Sequence, residues 1–246
     1  MSPDPMDPLD SPDLEHAAAA LRAQWPVLRA WVDRVESGGD EVTGRPSALP
    51  GWTVAELVAH VGRGMDALTA VRPADPATVP QTLAEYLGGY AAGAATIAAT
   101  TRTLAAEIAP DPLLHVDRMA QAAFDHLDAL GGDRVVLARR GPIALTDMVV
   151  SRVVELVVHA DDLVRSVPGS DPADAVEPGS LHLVAASLLR VLEERGGPRL
   201  TVVDPLAWVR VACGRVPVDA AALEAAVRTA SGATVGAVDV PQLPLL

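Results

Sequence analysis

The sequence predicts a mainly α-helical protein, in which a four-helix bundle is followed by a smaller α/β unit. Half of the 246 residues are hydrophobic but only 3% are aromatic, which favours closely packed helices over an aromatic-rich sandwich. Apolar residues recur at helical spacing up to about residue 167, and short mixed segments follow. This change predicts a helical bundle over 13–171 and a C-terminal domain over 172–246.

The N-terminal segments are assigned from the residues that typically begin or end a helix. Residues 1–12 are acidic and rich in proline, which predicts a disordered tail. A first helix is expected over 12–36. Thr53 and Glu56 then form a T-x-x-E pattern, the signature of a capping box, so a second helix begins there and ends before Pro73.

The middle of the chain predicts two further helical segments. A long helix is expected over 81–109, with Gly88, Gly89 and Gly93 interpreted as positions of close helix packing. Asp111 before Pro112 is typical of a helix N-cap, and the helix that it opens is expected to end near Leu130.

The last bundle helix is expected from about Thr146 to just before Pro168, after a strand or loop over 133–145. Residues 168–178 have the composition of a linker. Beyond it we predict, in order, a helix over 179–195, a β-like segment over 199–203, a segment over 206–213 that suits helix or strand equally, and a helix over 220–230.

Composition excludes several classes of function. The formal net charge of −13 argues against a nucleic-acid-binding surface, which needs clustered cations. The sequence contains no run of about 18 apolar residues, so no membrane span is predicted. The N-terminus also lacks the apolar core of a signal peptide. We therefore expect a cytoplasmic protein. Cys213 is the single cysteine, which rules out an intramolecular disulfide and is best interpreted as a buried apolar residue.

A stripe of charge on an otherwise apolar helix is the main chemical signal. Glu155 and His159 lie four residues apart and therefore face the same way, and Arg152 and Asp162 extend the stripe. Because the helix is apolar almost all round, these charges should be buried and need partners. Either a divalent metal or an ion pair between Glu155 and Arg152 would satisfy them.

Spacing alone does not decide between these alternatives. An acid four residues before a histidine occurs three times in the chain, as Glu56/His60, Asp111/His115 and Glu155/His159. The first two acids are explained by helix capping. Glu155 alone has no such local explanation.

Two motifs resemble those of a known family. The stretch Leu49–His60 (LPGWTVAELVAH) resembles the second-helix signature of the mycothiol-dependent maleylpyruvate isomerase family, which has a DinB-like four-helix bundle, and the stretch 152–163 (RVVELVVHADDL) resembles its fourth-helix signature. The resemblance implies that His60, Glu155 and His159 bind a divalent metal, usually Zn²⁺. It further implies that Asp162 contacts one of these ligands without binding the metal itself. It also implies an actinobacterial type of protein.

A second resemblance concerns the C-terminal domain. Its characteristic stretches are 203–210, 213–215, 230–232 and 243–246, which are similar to those of a short bacterial sterol-carrier-like domain. That domain often follows this type of bundle. The unit is short for a complete lipid carrier, so a large lipid tunnel is not expected.

Together these resemblances imply a function in small-molecule chemistry. The leading hypothesis is a metal-dependent enzyme that uses mycothiol as cosubstrate on a small electrophilic substrate, as a cis–trans isomerase or an S-transferase. Arg215, and after it Arg210, are candidates for binding a substrate carboxylate. The alternative is a small-molecule or lipid carrier, in which a metal is structural or absent.

Overall fold

A computed structural model describes residues 11–37 and 40–246 of the chain. The predicted disordered tail therefore lies, apart from its last two residues, outside the described part. Within that part the protein is mainly α-helical with two small antiparallel sheets, as predicted. None of its helices combines the length and the apolar character that crossing a membrane would need.

The bundle is built from the N-terminal helices. In chain order these are α1 (Leu14–Glu36), α2 (Asp40–Thr43), α3 (Val54–Thr69), α4 (Leu83–Gly88), α5 (Ala94–Ile108), α6 (Pro112–Leu130) and α7 (Leu145–Ser166). Helix α7 packs against α1 and α3, and α3 packs against α5 and α6. The long helices predicted from periodicity, α1, α3, α6 and α7, are thus confirmed to within about two residues at their ends.

Helix starts follow the caps that the sequence predicted. The Thr53 hydroxyl accepts from the Glu56 amide at 3.2 Å, and the Glu56 carboxylate accepts from the Thr53 amide at 2.8 Å. Asp111 likewise accepts from the Leu114 amide at 3.2 Å, at the start of α6. Each of these bonds satisfies an amide that the helix itself leaves without a partner.

The long helix predicted over 81–109 is wrong. Helix α4 ends at Gly88, a short 3₁₀ turn covers Ala91–Gly93, and α5 begins only afterwards. Each glycine costs a helix about 1 kcal/mol relative to alanine, and three of them between residues 88 and 93 favour the break. Gly88 and Gly89 are exposed, so they interrupt the helix and do not bring helices close together.

Close packing of helices occurs instead at Gly62 on α3. A Cβ atom there would lie 2.7 Å from Val116 Cγ1 and 3.0 Å from Met119 Sδ, both on α6. Helices α3 and α6 can therefore approach each other this closely only because residue 62 has no side chain.

Five short strands complete the fold of the described residues. They are β1 (Arg72–Pro73), β2 (Val135–Ala138), β3 (Gly141–Ala144), β4 (Leu200–Val202) and β5 (Val227–Thr229). The first three form one antiparallel sheet in that order, and β4 pairs with β5 in the other. The segment 133–145, predicted as strand or loop, is thus mostly the β2–β3 hairpin that leads into α7.

The C-terminal helices are α8 (Pro178–Glu194), α9 (Pro205–Ala212) and α10 (Ala220–Ala226). The segment that suited helix or strand equally is the helix α9. The helix predicted over 220–230 is too long. Residues Val227–Thr229 form strand β5, which pairs with β4, and the β-branched residues of this segment favour a strand.

The C-terminal elements pack onto the bundle. Helix α8 contacts α1 and α7, and Trp208 of α9 is fully buried, with its indole N–H donating to the Ala185 carbonyl at 3.0 Å. The segment predicted as a linker is also attached to the bundle, since the buried Gln24 side chain of α1 forms hydrogen bonds with Ala175 and Glu177. One hydrophobic cluster runs through both parts, and the domain boundary near residue 172 stays a prediction.

The packing at Gly62 makes a first prediction. Gly62→Ala should lower the free energy of unfolding by up to about 2 kcal/mol, since overpacking of about 1–3 kcal/mol outweighs the gain of about 1 kcal/mol in helix propensity. Gly64→Ala is the matched control on the same helix, because its Cβ would meet only Glu155 Cβ at 3.9 Å. It should be neutral or stabilising. Urea unfolding followed by circular dichroism measures both, and a Gly62→Ala protein at least as stable as Gly64→Ala would contradict this account.

Candidate metal centre

Three predicted ligands meet between helices α3 and α7. Glu155 Oε2 lies 3.4 Å from His60 Nε2 and 3.3 Å from His159 Nε2. Ligand atoms of all three residues lie within 4.8 Å of one another. The side chains are only 15%, 12% and 11% exposed for His60, Glu155 and His159, so the cluster is enclosed but not sealed.

The spacing of these atoms fits a shared cation. Two ligands held about 2.0–2.2 Å from a tetrahedral zinc ion lie about 3.3–3.6 Å from each other, which matches both measured distances. A charge-assisted hydrogen bond between imidazolium and carboxylate would be shorter, about 2.7–2.9 Å. Both imidazoles therefore lie at a ligand-to-ligand distance from the same carboxylate oxygen, and the chemistry of the set, two imidazoles and one carboxylate, suits a borderline divalent cation.

The two histidines are supported differently. His159 Nδ1 lies 3.0 Å from Asp162 Oδ2, and Asp162 is fully buried, so this contact fixes the ring with Nε2 towards Glu155. His60 Nδ1 is buried and has no hydrogen-bond partner among the described residues. Its ring instead meets Trp52 edge-on, at 5.0 Å between centroids.

Electrostatics within the cluster assign its charges. Burial lowers the pKa of His60 below 6.5. Burial alone would raise the pKa of Glu155, but its contacts with the two imidazoles and the charge of Arg152 outweigh burial and hold that pKa well below its ordinary value. Burial opposes protonation of His159 too, yet Asp162 and Glu155 raise its pKa to about 9. In the metal-free protein at neutral pH, His159 is therefore the imidazole that holds a proton.

Arg152 does not form the ion pair that was the alternative to a metal. Among the ion pairs of the described residues none joins it to Glu155. Its guanidinium donates to the Tyr90 hydroxyl, to the Gly64 carbonyl at 3.2 Å and to Ser151 Oγ at 3.2 Å. These acceptors are neutral, so Arg152 contributes a positive field to the site and leaves the Glu155 oxygens free.

Tyr90 is the residue of this network that sequence reasoning missed. Burial raises the pKa of its hydroxyl, which keeps it neutral as an acceptor for Arg152. Its ring also receives Arg140, whose guanidinium carbon lies 3.9 Å from the centroid. The sequence signal that could have found it is rarity, because Tyr86 and Tyr90 are the only two tyrosines in the chain and lie four residues apart.

The two candidate arginines for substrate binding are both paired. Arg215 Nη2 lies 2.8 Å from Asp162 Oδ2, and Arg210 forms two hydrogen bonds to the carboxylate of Asp161. Arg210 and Arg215 thus attach the C-terminal segment to α7. Arg215 also donates to the Cys213 carbonyl through Nη1 at 2.8 Å.

Cys213 is buried, as predicted. Only 1% of the residue is exposed, and burial raises the pKa of its thiol to about 12. It is therefore a thiol, not a thiolate, at neutral pH, which argues against its service as a nucleophile.

A cavity of about 760 Å³ lies beside the site, between α4 and the C-terminal residues. Leu87, Tyr90, Arg195 and Leu245 are among its lining residues, whereas none of the three candidate ligands lines it. Tyr90 therefore borders the cavity, and its hydroxyl contacts Arg152.

Comparison with known proteins places the bundle in a family. The family model described as the mycothiol maleylpyruvate isomerase N-terminal domain matches residues 21–164, which include all three candidate ligands and Asp162. No curated protein and no solved structure gives a significant match. The match ends before α8, so the sterol-carrier-like interpretation of the C-terminal domain stays a prediction. Since it covers more than half of the chain, the protein belongs to the family of the mycothiol maleylpyruvate isomerase N-terminal domain.

Proposed function

We propose that the protein is a metal-dependent enzyme that uses a low-molecular-weight thiol, by its family mycothiol, on a small electrophilic substrate. The observation that carries the proposal is the convergence of His60, Glu155 and His159 at distances suited to one divalent cation. Zn²⁺ is the first candidate because it favours imidazole and carboxylate ligands and keeps a further position open when three protein ligands bind it.

The chemistry would divide between metal and protein. When bound, the ion would lower the pKa of an incoming thiol and so supply a thiolate near neutral pH. The chain's own residues would supply the metal ligands, limit the access of water to the site and add the positive charge of Arg152. Isomerisation and S-transfer both begin with addition of the thiolate to an electrophilic carbon. They differ in whether the thiol is then eliminated or retained.

The nucleophile is expected to come from outside the chain. Cys213 is the only cysteine, and its thiol is buried and neutral. It also lies beyond the stretch that the family model matches. A thiol cosubstrate therefore fits this protein better than a covalent intermediate on the enzyme.

A carrier function is the second candidate, and the cavity of about 760 Å³ favours it. The cavity is open on one side, and its leucine side chains offer apolar contacts to a small molecule beside the charged Glu85, Glu194 and Arg195. Ligand binding in the cavity without thiol-dependent turnover would support the carrier, and the two functions are separated by the activity experiment below.

The metal site predicts a loss of stoichiometric metal in ligand variants. His60→Ala and His159→Ala should each reduce bound zinc from one equivalent to near zero, since two remaining ligands hold a borderline cation poorly. His115→Ala is the control, because His115 is half-buried on α6, is not one of the three candidate ligands, and contacts the Asp111 carbonyl at the start of its own helix through Nδ1. Elemental analysis after dialysis measures occupancy. Full occupancy in both ligand variants would refute the site.

Protons should compete with the metal in a defined order. The pKa of His159 is raised to about 9 and that of His60 is lowered below 6.5, while both imidazoles must be neutral to bind metal. Zinc affinity should therefore fall about tenfold per pH unit as pH falls below about 9, and about a hundredfold per unit once His60 also protonates.

Calorimetry can count these protons directly. Titration with zinc at pH 7.5, in buffers of different ionisation enthalpy, should show release of about one proton per metal ion. His115→Ala should release the same number. Binding without proton release at this pH would mean that His159 is already neutral in the metal-free protein.

Catalysis should depend on the metal ligand and not on the cysteine. With maleylpyruvate and mycothiol, Glu155→Gln should lose turnover by at least about 100-fold, the upper range for disrupted metal sites, while Cys213→Ser stays active. A spectrophotometric assay with and without mycothiol measures this. Loss in Cys213→Ser alone would overturn the proposed mechanism, and no turnover by any protein, wild type included, would favour the carrier function.

A further inference from the structure

We propose that Arg215 is a positioning residue for the metal centre: it holds Asp162, which in turn holds His159 in the orientation that binds metal. The inference rests on the proposed metal site and adds to it a residue of the C-terminal segment. Arg215 lies outside the stretch 21–164 that the family model matches.

The contacts form an unbroken chain. Arg215 Nε lies 3.0 Å from Asp162 Oδ1 and 3.2 Å from Oδ2, and Nη2 lies 2.8 Å from Oδ2. Oδ2 is also the atom that contacts His159 Nδ1, at 3.0 Å. Arg215 itself is fixed, since its Nη1 donates to the Cys213 carbonyl at 2.8 Å. The guanidinium thus fixes the plane of the carboxylate that orients the ligand.

Removal of Arg215 should turn the carboxylate away from His159. The Asp162 side chain is only 1% exposed, and a buried carboxylate without a counter-charge is unfavourable. With zinc bound His159 is neutral, and the other guanidinium that pairs with this carboxylate is that of Arg165, whose Nη1 lies 3.8 Å from Oδ1, the oxygen that does not contact His159. Rotation towards Arg165 would lengthen the contact with His159 and loosen its ring.

A neighbouring ion pair provides a control within the same fold. Arg210 pairs with Asp161, so it also joins the C-terminal segment to α7 through a buried carboxylate. Asp161 makes no contact with a candidate ligand among the hydrogen bonds and ion pairs of the described residues. Loss of either ion pair removes one contact between the C-terminal segment and α7, but only loss of the Arg215 pair affects a carboxylate that contacts His159.

The test compares zinc affinity in the full-length chain, with and without each arginine. Zinc dissociation constants are measured by competition with a chromophoric chelator, on metal-free proteins whose folding is checked by circular dichroism. Arg215→Gln should weaken zinc binding about tenfold or more, as for other residues that support a metal ligand. Arg210→Gln should stay within about twofold of wild type, the scatter expected for independent sites.

A double variant tests whether Arg215 acts through Asp162. Asp162→Ala should weaken zinc binding by at least as much as Arg215→Gln. Adding Arg215→Gln to Asp162→Ala should then change the affinity by less than about twofold. A further loss in the double variant equal to that in the single variant would overturn the route through Asp162.

Remaining outcomes separate this inference from the proposed function. Wild type without stoichiometric zinc would overturn the metal site and the role of Arg215 with it. Wild type with zinc, but with equal affinities for Arg215→Gln and Arg210→Gln, would overturn only the role of Arg215. If Arg215→Gln does not fold, Arg215→Lys and Arg210→Lys replace the pair, since lysine keeps the charge but cannot bridge both carboxylate oxygens. Weaker zinc binding by Arg215→Lys than by Arg210→Lys then supports the role, and equal binding overturns it.

Discussion

The burial of helix α7 is the constraint on which the rest of the structure depends. All but three of its residues are buried, yet it carries five ionisable side chains in the eleven positions from Arg152 to Asp162. An ion removed from water without a partner costs several kcal/mol, so each charge requires a group from another element. The partners come from α3, from the turn after α4, from α9 and from the residues that follow α9. The charges of one helix thereby determine what must pack around it.

These charges are not all satisfied in the same way. Asp161 and Asp162 have arginine partners, and Arg152 donates to neutral oxygens of Tyr90, Gly64 and Ser151. Glu155 is left with imidazoles. In the metal-free protein its nearest positive charge is the proton on His159, whose pKa is raised to about 9. A divalent ion would replace that proton and supply the greater charge, which explains how one buried carboxylate can be stable both with and without metal.

Local patterns in the sequence predicted most of the fold, and the failures have physical causes. The capping residues Thr53 and Asp111 and the periodicity of α7 act within a few residues, so they can be recognised from spacing alone. The break at Gly88 was missed because an apolar helical pattern continues through it. The contact of Arg152 with Tyr90 joins residues 62 positions apart, and no local spacing encodes it.

The candidate site was predictable only in part, for the same reason. Spacing paired Glu155 with His159 but did not distinguish a metal from an ion pair with Arg152. Resemblance to a family supplied His60, which comes from another helix. Arg215 was predicted to bind a substrate carboxylate across the interface between the two domains. Its partner Asp162 lies 53 residues earlier, and no local spacing indicates that this guanidinium is already paired.

The two arginine pairs also bear on how the parts of the chain depend on each other. A bundle that ended where the family match ends, at residue 164, would leave Asp161 and Asp162 side by side, each without the arginine that faces it. Two adjacent carboxylates without counter-charges repel each other. The segment that contains Arg210 and Arg215 therefore stabilises α7 in the conformation that brings Glu155 and His159 to His60. In this protein the matched region holds the candidate ligands, and the unmatched region holds the charges that keep their helix in place.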